Sequence, residues 1–385
     1  MTTQAQRAKH LQWLHEITAL PTAAGHEDRV IAYIKNWMKT RKNLKLRSDK
    51  AGNLIIEHAK RSSAVKRAKP IYITAHLDHP AFVVKRRLDA KTIELEFRGG
   101  VDDPYFENAK IEIFDDEDRV HKATITKLDG KAKPFKLIEA KLSGAGASIK
   151  PGDVGRWAFT GKGKTPMVDR QGIFHTPACD DLAAAASALG AMDVMRNRKG
   201  LEHVGLIFTR AEEIGFVGAI EVCERKSVPR SARLICLETS RSFSDSPIGG
   251  GPIVRVGDRI SVFDPRLTNR ISAIMTKHAS KNPKFKWQRK LMAGGACEAS
   301  CFSAYGYEST CLCLPLGNYH NRRDIDEVLA GQRPALVGPE YISVDDFHGL
   351  VEMLIVTCTK LDDDTSKGLM SVMKKYRKEL GYVLK

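Results

Sequence analysis

The sequence predicts an α/β protein: a parallel or mixed sheet covered by helices on both faces, with a small all-β insertion. Helices and apolar strands alternate before residue 80 and after residue 168, as in sheets that are covered on both sides. Between residues 81 and 167, short alternating strands follow one another without an amphipathic helix. A chain of 385 residues exceeds what one core usually organises. We therefore expect a domain of residues 1–80 plus 168–385 and an inserted domain of residues 81–167.

The helices are predicted from apolar spacing and from breaks in it. Leu11, Leu14 and Ile17 recur at helical spacing, and Pro21 to Gly25 interrupts the pattern before it resumes up to Met38. An alanine-rich run opens the second half of the chain, and three further segments show the same periodicity. The later helices are expected at residues 181–196, 217–225, 265–279 and 344–361.

The strands are predicted from short apolar or alternating runs bounded by turn residues. Before the insertion they are expected at residues 44–47, 53–56 and 71–75. Within the insertion they are expected at residues 92–97, 109–114, 123–127 and 136–140. After it they are expected at residues 204–209, 233–237, 253–256 and 310–316.

Composition and charge exclude several classes of protein. Hydrophobic residues make up 42% of the chain, too many for a disordered protein. No run of 18 apolar residues exists, so we predict no membrane partner. The net charge of +16 is concentrated in residues 39–69, 277–290 and 365–385, and the remainder is slightly acidic. Because no nucleic-acid-binding motif accompanies these segments, we predict no nucleic-acid partner, and we consider attraction of acidic peptides instead.

The cysteines and the first residues bear on the compartment. Eight cysteines in 385 residues are too dilute for a disulfide framework, and none has the spacing of a zinc knuckle. The first residues lack an apolar segment of signal-peptide length. We therefore expect reduced, buried thiols and a cytoplasmic location.

Polar residues follow the predicted strands at several points, and an acidic pair opens the alanine-rich helix. Taken singly, each has a plain structural interpretation: a capped strand end, a helix cap or a solvated helix start. Together they place two histidines and several carboxylates at one rim of one sheet, where ligands collect in α/β proteins. Such a donor set suits Zn²⁺ in a catalytic site, with Co²⁺ or Mn²⁺ as alternatives. The residues are His76, Asp78, Asp180, Asp181, Glu212, Glu213, Glu238 and His320.

This ordered set resembles the dinuclear-metal exopeptidases, and most closely the glutamyl, deblocking and tetrahedral (TET) aminopeptidase family. The resemblance spans about residues 10–360 and includes "AHLDHPAFVV", "IKPGDVGRW", "CDDLAAA", "EEIGFVGA", "GGGPIVRVGD" and "GG…EAS". It implies a three-layer, mixed-sheet, dizinc exopeptidase-like catalytic domain with an inserted β domain. In this family the β domain mediates dimers and larger assemblies up to dodecamers, so a homo-oligomer is expected.

The resemblance also implies a role for each site residue. Two divalent metal ions per chain would be bridged by Asp180, with His76 and Glu238 completing one site and Glu213 and His320 the other. Glu212 would be the general base, acting on a metal-bridged water. Asp78 would orient His76, and Asp181 would help to hold Asp180.

The sequence departs from the family pattern at three points near the site, one of which is Leu182, which follows Asp181 where Arg is more usual. His79 and Pro80 follow Asp78 where the family usually has Glu and Ile, and Glu238 stands where the family usually has Asp. These departures leave metal preference and pocket shape open. Candidates for determining the preferred N-terminal residue are Arg255, Phe263, Gly294, Gly295 and Tyr319.

The function that follows is that of a metal-dependent aminopeptidase acting on short peptides. The main alternative is an N-acyl amino acid deacylase or a carboxypeptidase that uses the same two-metal site. A nucleic-acid-binding protein and a scaffold without catalysis are weaker alternatives, because the set of ligands is complete.

Overall fold

A mixed β-sheet runs through the larger part of the molecule and a separate barrel interrupts it in sequence. The structure is a computed structural model and describes residues 2–62, 65, 68–144, 146–363 and 367–384. Its strands are β1 (Leu44–Ser48), β2 (Leu54–His58), β3 (Ile71–His76), β4 (Ala81–Arg87), β5 (Thr92–Arg98), β6 (Lys110–Phe114), β7 (Val120–Asp129), β8 (Lys136–Leu142), β9 (Val154–Trp157), β10 (Met167–Val168), β11 (Ile173–Thr176), β12 (Val204–Thr209), β13 (Arg233–Arg241), β14 (Ile253–Gly257), β15 (Gln288–Leu291), β16 (Glu308–Leu316) and β17 (Glu340–Ser343). Its helices are α1 (Gln4–Thr18), α2 (Asp28–Met38), α3 (Leu182–Met195), α4 (Val217–Glu224), α5 (Pro265–Lys281), α6 (Glu298–Ala304), α7 (Ile325–Leu329), α8 (Val344–Lys360) and α9 (Lys367–Leu380).

The large sheet has eight strands in the order β1-β2-β12-β3-β13-β16-β14-β15. Its four central strands, β12, β3, β13 and β16, are parallel neighbours. Strand β2 pairs antiparallel with β12, and β14 pairs antiparallel with β16. The carboxyl ends of the four parallel strands therefore meet at one edge of the sheet, which we call the strand-end edge; their amino ends form the strand-start edge.

Helices cover both faces of this sheet, which gives three layers. Alternate residues of one strand enter different cores, as the two-residue period of a strand requires. Ile73 and Ala75 join the core that includes α1, α3 and α8, whereas Tyr72 joins the core that includes α4 and α6. The predicted α/β fold with a mixed sheet is confirmed.

Helix α3 lies at the centre of the first layer, and all of its residues are buried. It packs against the sheet on one side and against α1 and α8 on the other. Its many alanines let these neighbours approach closely while retaining a high helix propensity. As a result, the residues just before α3 are held next to the ends of the parallel strands.

The insertion forms a closed six-stranded barrel in the order β4-β5-β8-β7-β6-β9. Its core contains Phe82, Phe97 and Trp157, with ring centroids 4.8 to 5.8 Å apart. The sequence predicted the inner four strands but neither β4 nor β9, which close the barrel. Strand β4 changes from buried to exposed halfway along, and β9 has four residues, so neither gives a strong alternating pattern.

The observed elements extend the predicted ones at several points. Helix α1 begins at Gln4 rather than near His10, and β13 continues to Arg241 rather than ending at Leu237. A three-stranded sheet of β10, β11 and β17 was not predicted. Residues 63, 64, 66 and 67 of the basic segment 39–69, and residues 365, 366 and 385 of the basic C-terminal segment, lie outside the described residues.

Two further sequence predictions concern the cysteines and membrane-spanning segments. All eight cysteines are buried and free, as expected for reduced thiols. Among the helices in the described part of the chain, none combines the length and the apolar character needed to cross a bilayer.

Candidate metal centre

The predicted site residues come together at the strand-end edge. His76 is the last residue of β3, and Glu212 and Glu213 follow β12. His320 follows β16, and Asp180 precedes α3. Glu238 lies inside β13 rather than beyond it, because β13 continues to pair with β16 up to Arg241.

One group of possible ligands consists of His76, Asp180 and Glu238. The Nε2 atom of His76 lies 3.4 Å from Oδ1 of Asp180 and 3.8 Å from Oε1 of Glu238. All three side chains are buried, and their candidate ligand atoms lie within 4.8 Å of one another. This is the spacing of groups that face a common centre.

A second group consists of Asp180, Glu213 and His320. The Nε2 atom of His320 lies 3.3 Å from Oδ2 of Asp180 and 3.5 Å from Oε1 of Glu213. Asp180 therefore belongs to both groups, and a different carboxylate oxygen faces each histidine. A single carboxylate placed in this way can serve two neighbouring cations.

The residues fit divalent cations in their chemistry as well as their spacing. Asp180 Oδ1, Glu213 Oε1 and His320 Nε2 are buried and have no hydrogen-bond partner within the described residues. Burial raises the pKa of Glu212 and of Glu213 well above the usual range; neighbouring carboxylates add to this effect, and His76 opposes it. Burial, opposed by His76, does the same to the pKa of Glu238. Bound cations would remove this cost by favouring the ionised carboxylates.

Asp180 differs from the other carboxylates. Burial alone would raise the pKa of its carboxyl, but the side chains of His320 and His76 outweigh burial and hold that pKa below its usual range. The peptide bond between Asp180 and Asp181 is cis. Asp181 itself is fully buried, and its carboxyl oxygens make no hydrogen bond within the described residues.

Asp78 fixes the paired glutamates. Its two carboxylate oxygens accept the backbone N–H groups of Glu212 and Glu213, each at 3.0 Å. His76 Nδ1 lies 3.1 Å from the backbone carbonyl oxygen of Asp78 but 3.6 Å from the nearer carboxylate oxygen, which is too far for a hydrogen bond. In this structure Asp78 thus orients His76 through its carbonyl group and positions Glu212 and Glu213 through its side chain.

The barrel contributes to the orientation of His320. The Nδ1 atom of His320 lies 2.7 Å from the carbonyl oxygen of Gly100, just after β5 of the barrel. The ring also stacks on Tyr319, with centroids 3.8 Å apart. The inserted segment is therefore part of the framework that directs Nε2 of His320 towards Asp180.

Glu340 is a site residue that the sequence analysis missed. Its Oε2 atom accepts the backbone N–H groups of Cys179 and Asp180 at 2.6 and 3.0 Å, and its Oε1 accepts that of His320 at 2.8 Å. Burial raises the pKa of its carboxyl to about 8. Glu340 begins β17, far from any motif, so the sequence carried no signal for its contact with two proposed ligands.

We expect Glu340→Gln to weaken metal binding. Glutamine has one carbonyl oxygen, so it cannot accept all three backbone N–H groups. Changes to residues that orient metal ligands typically lower metal affinity about 10- to 100-fold. Competition with a chelating dye measures the effect. The control is Glu352→Gln, because Glu352 is also buried but contacts His278 in another part of the fold. Unchanged affinity in Glu340→Gln would contradict the prediction.

His79 is a second residue of this kind. Its Nδ1 atom lies 2.6 Å from the carbonyl oxygen of Asp180, and its Nε2 lies 3.0 Å from Oδ1 of Asn321. It thereby links the segment of Asp180 to that of His320. In the sequence, His79 stands out only as a departure from the family pattern.

A cavity of about 220 Å³ opens beside Glu238 and Tyr319. Four of the five residues suggested for selectivity line it, namely Arg255, Gly294, Gly295 and Tyr319. Phe263 does not, because it is buried in the core beside α4 and α6. Arg255 is also buried, and its guanidinium donates to Oγ of Ser240 and to the carbonyl of Gly295, both at 3.1 Å.

Comparison with known proteins assigns the chain to a family. The family model of M42 glutamyl aminopeptidases matches residues 52–330. The chain belongs to the M42 glutamyl aminopeptidase family. It is a metal-dependent aminopeptidase, a hydrolase that acts on peptide bonds. The resemblance found in the sequence motifs is thus confirmed. A comparison with curated protein sequences gives no match.

Solved structures share the fold of this M42 chain over nearly their whole length. A TET aminopeptidase from a marine sediment archaeon of the Thaumarchaeota is 17% identical to this chain, with a TM-score of 0.72. The match covers 94% of this chain and 99% of the archaeal chain, and coverage is given in that order below. An aminopeptidase from Desulfurococcus kamchatkensis is 17% identical, with a TM-score of 0.71, covering 91% and 95%. The Pyrococcus horikoshii TET1 peptidase is 17% identical, with a TM-score of 0.68, covering 91% and 99%.

Proposed function

We propose that this aminopeptidase binds two divalent cations, and that Asp180 contacts both. His76 and Glu238 would hold one cation, and Glu213 and His320 the other. The observation that supports this most strongly is the placement of the two Asp180 oxygens, each within 3.5 Å of a different histidine. Histidine and carboxylate donors without cysteine favour Zn²⁺, with Co²⁺ or Mn²⁺ as alternatives.

Glu212 is the proposed general base. Its backbone is fixed by Asp78, and its carboxylate lies 4.0 Å from Nε2 of His76. It lies outside both groups of ligands around Asp180, although it forms a third possible group with His76 and Glu213. It would take a proton from the attacking water and deliver it to the leaving amine. When bound, the two cations supply Lewis-acid stabilisation of developing negative charge and lower the pKa of water.

The cavity beside Glu238 is the proposed site for the first side chain of a short peptide. Its volume suits one side chain, and it adjoins a proposed metal ligand. Arg241, Arg255 and Arg322 line it, and Arg322 pairs with Asp102 at 2.6 Å. Arg241 is likewise paired, with Asp326, whereas Arg255 donates to neutral groups. Arg255 is therefore the lining arginine that favours an acidic first residue, in agreement with the attraction of acidic peptides considered from the sequence.

A substrate panel tests this proposal against the alternative. We expect hydrolysis of aminoacyl-anilides, with aspartyl and glutamyl anilides preferred over lysyl anilide, and little turnover of N-acyl amino acids or of peptides blocked at the N-terminus. Arg255→Met should reduce the preference for aspartyl and glutamyl anilides. The control is Arg198→Met, which should keep that preference, because Arg198 lies in the loop before β12, away from the cavity. Preferential cleavage of N-acyl amino acids would support a deacylase and contradict the proposal.

We also propose that the chain forms a homo-oligomer and that the barrel, residues 81–167, is a separate domain for assembly and substrate access. The Pyrococcus horikoshii TET1 peptidase assembles into a tetrahedron or an octahedral shell, and a related TET1 structure is a dodecamer. The contact between Gly100 and His320 supports a link between the barrel and the site. The cytoplasmic location stays a prediction.

A further inference from the structure

The C-terminal helix α9 exposes a side that is apolar. Val372, Met373, Tyr376 and Leu380 are 39 to 55% exposed, and Val383 and Leu384 beyond the helix are 68 and 92% exposed. At 100° per residue, these four helical positions lie on one side of α9. Helix α2 is also amphipathic, but it buries its apolar residues Val30, Ile34 and Trp37 in the core. Unlike α2, α9 therefore has an apolar side that the described part of the chain leaves uncovered.

The other side of α9 is basic. Lys374 and Lys378 lie opposite the apolar side, and Lys375 and Arg377 flank them. Glu379 is the only acidic residue among residues 367–384, and its carboxylate lies 3.8 Å from Nζ of Lys375. Helix α9 thus combines an exposed apolar side with a strongly positive one.

Helix α9 leaves the body of the protein at the strand-start edge, away from the candidate metal centre. Asp362, five residues before α9, accepts hydrogen bonds from Arg233 at 2.6 and 3.0 Å, and Arg233 is the first residue of β13. Five extended residues span at most about 18 Å. The proposed ligands lie at the other ends of the same strands, so a partner on α9 leaves the site open.

The strand-start edge carries further positive charge. Exposed basic residues precede three of the parallel strands, and another ends α8: Lys69, Lys199, Arg230 and Lys360. Two of these basic residues are paired with acids, because Glu308 lies 3.3 Å from Lys69 and Asp363 lies 3.3 Å from Lys360. Glu202 also precedes β12, so the positive charge of this edge is modest. The start of α9 lies within reach of this edge, and the positive charge of this region comes chiefly from α9 itself.

We propose that α9 and the strand-start edge form a docking surface for an anionic lipid bilayer. The apolar side chains of α9 would enter the headgroup region, while Lys374, Lys378 and the basic edge would contact lipid phosphates. No membrane partner was expected from the sequence, because no segment of it is long and apolar enough to span a bilayer. A helix that lies along the surface of a bilayer requires none.

The arrangement of charge and apolar residues distinguishes a bilayer from the other molecules that could cover this docking surface. A nucleic acid would neutralise the basic side of α9 but leave its apolar side in water. A second copy of this chain packed on the same side would cover the apolar residues but leave the basic side of α9 without a complementary charge. An anionic bilayer complements both sides.

Vesicle binding by the full-length protein tests the proposal. The vesicles contain either phosphatidylcholine alone or equal amounts of phosphatidylcholine and phosphatidylglycerol. The variants are Lys374→Glu with Lys378→Glu, and Met373→Gln with Leu380→Gln. The control is Lys91→Glu with Lys122→Glu, which makes the same change in net charge at exposed positions in the barrel. Aminopeptidase turnover and the mass of the assembly are measured in parallel.

We expect the wild type and the barrel control to sediment with phosphatidylglycerol vesicles and not with phosphatidylcholine alone. Each α9 variant should bind about tenfold more weakly, or worse, at unchanged turnover, since each basic residue near an anionic surface contributes to binding. Equal binding to both vesicle types, or wild-type binding by the α9 variants, would overturn the proposal. Loss of assembly mass in the Met373 and Leu380 variant with unchanged vesicle binding would instead assign the apolar side to a second copy.

Discussion

Replacing Glu212 with glutamine is expected to lower kcat by about 10²- to 10⁴-fold, the usual contribution of a general acid–base group. Glutamine has nearly the same shape, so the backbone hydrogen bond to Asp78 is retained. It cannot take a proton from water or return one to the leaving amine. Steady-state kinetics on an aminoacyl-anilide measure the loss.

The metal content of Glu212→Gln distinguishes a lost base from a lost metal site. Glu212 lies outside both groups of ligands around Asp180, but its carboxylate also forms a possible ligand group with His76 and Glu213. As a general base it is not needed as a ligand, so we expect the variant to bind as many metal ions as the wild type. Loss of metal would make Glu212 a ligand instead. The control is Glu112→Gln, a buried glutamate in the barrel that pairs with Arg156. A Glu212→Gln enzyme with full metal content and near wild-type kcat would remove Glu212 from the proposed mechanism.

Replacing Asp180 with alanine is expected to have the larger effect on metal binding. Its carboxylate is the one group shared by both sets of proposed ligands, so its loss removes a ligand from each. We expect metal content to fall below one ion per chain and turnover to become undetectable. The free energy of unfolding should also lose its dependence on added metal, because a ligand stabilises only the state that binds it.

The neighbouring residue provides a matched control for that variant. Asp181 is also a fully buried aspartate, but its carboxyl group lies outside both sets of proposed ligands. Asp181→Asn should therefore keep both metal ions. If Asp181→Asn lost metal while Asp180→Ala retained it, the proposed ligand assignment would be wrong.

Much of the site could be predicted because of where its residues stand in the sequence. His76 ends one buried parallel strand, His320 follows a second, and Glu212 and Glu213 follow a third. Parallel strands put their carboxyl ends at one edge, so local patterns were enough to bring these residues together. Asp180 was predicted from the acidic pair that opens an alanine-rich helix, which proved to be fully buried against the sheet.

The residues that orient the ligands could not be predicted in the same way. Glu340 contacts Asp180 across 160 residues of sequence, and Gly100 contacts His320 across 220. Neither belongs to a periodic pattern, and one of the two acts through a backbone carbonyl group that any residue carries. Such contacts depend on tertiary packing, which a single sequence does not display.

The strands of the barrel could likewise be predicted only in part from the sequence. Alternation predicted its inner strands, but closure depends on β4 and β9, whose pairing brings Phe82 opposite Gly155. A Cβ atom at Gly155 would lie 3.2 Å from Cβ of Phe82, so this close pairing favours glycine. A glycine within a four-residue strand weakens the sequence pattern while permitting the packing that closes the barrel.

Metal stoichiometry is the most direct test of the central claim that Asp180 serves two cations. The wild type and Asp180→Ala are stripped of metal and then saturated with Zn²⁺, Co²⁺ or Mn²⁺ in turn. After excess ion is removed, elemental mass spectrometry gives the number of metal ions per chain. We predict two ions per chain in the wild type and fewer than one in Asp180→Ala, with activity recovered only by the wild type. One ion or none per saturated wild-type chain, or two ions retained by Asp180→Ala, would contradict the account.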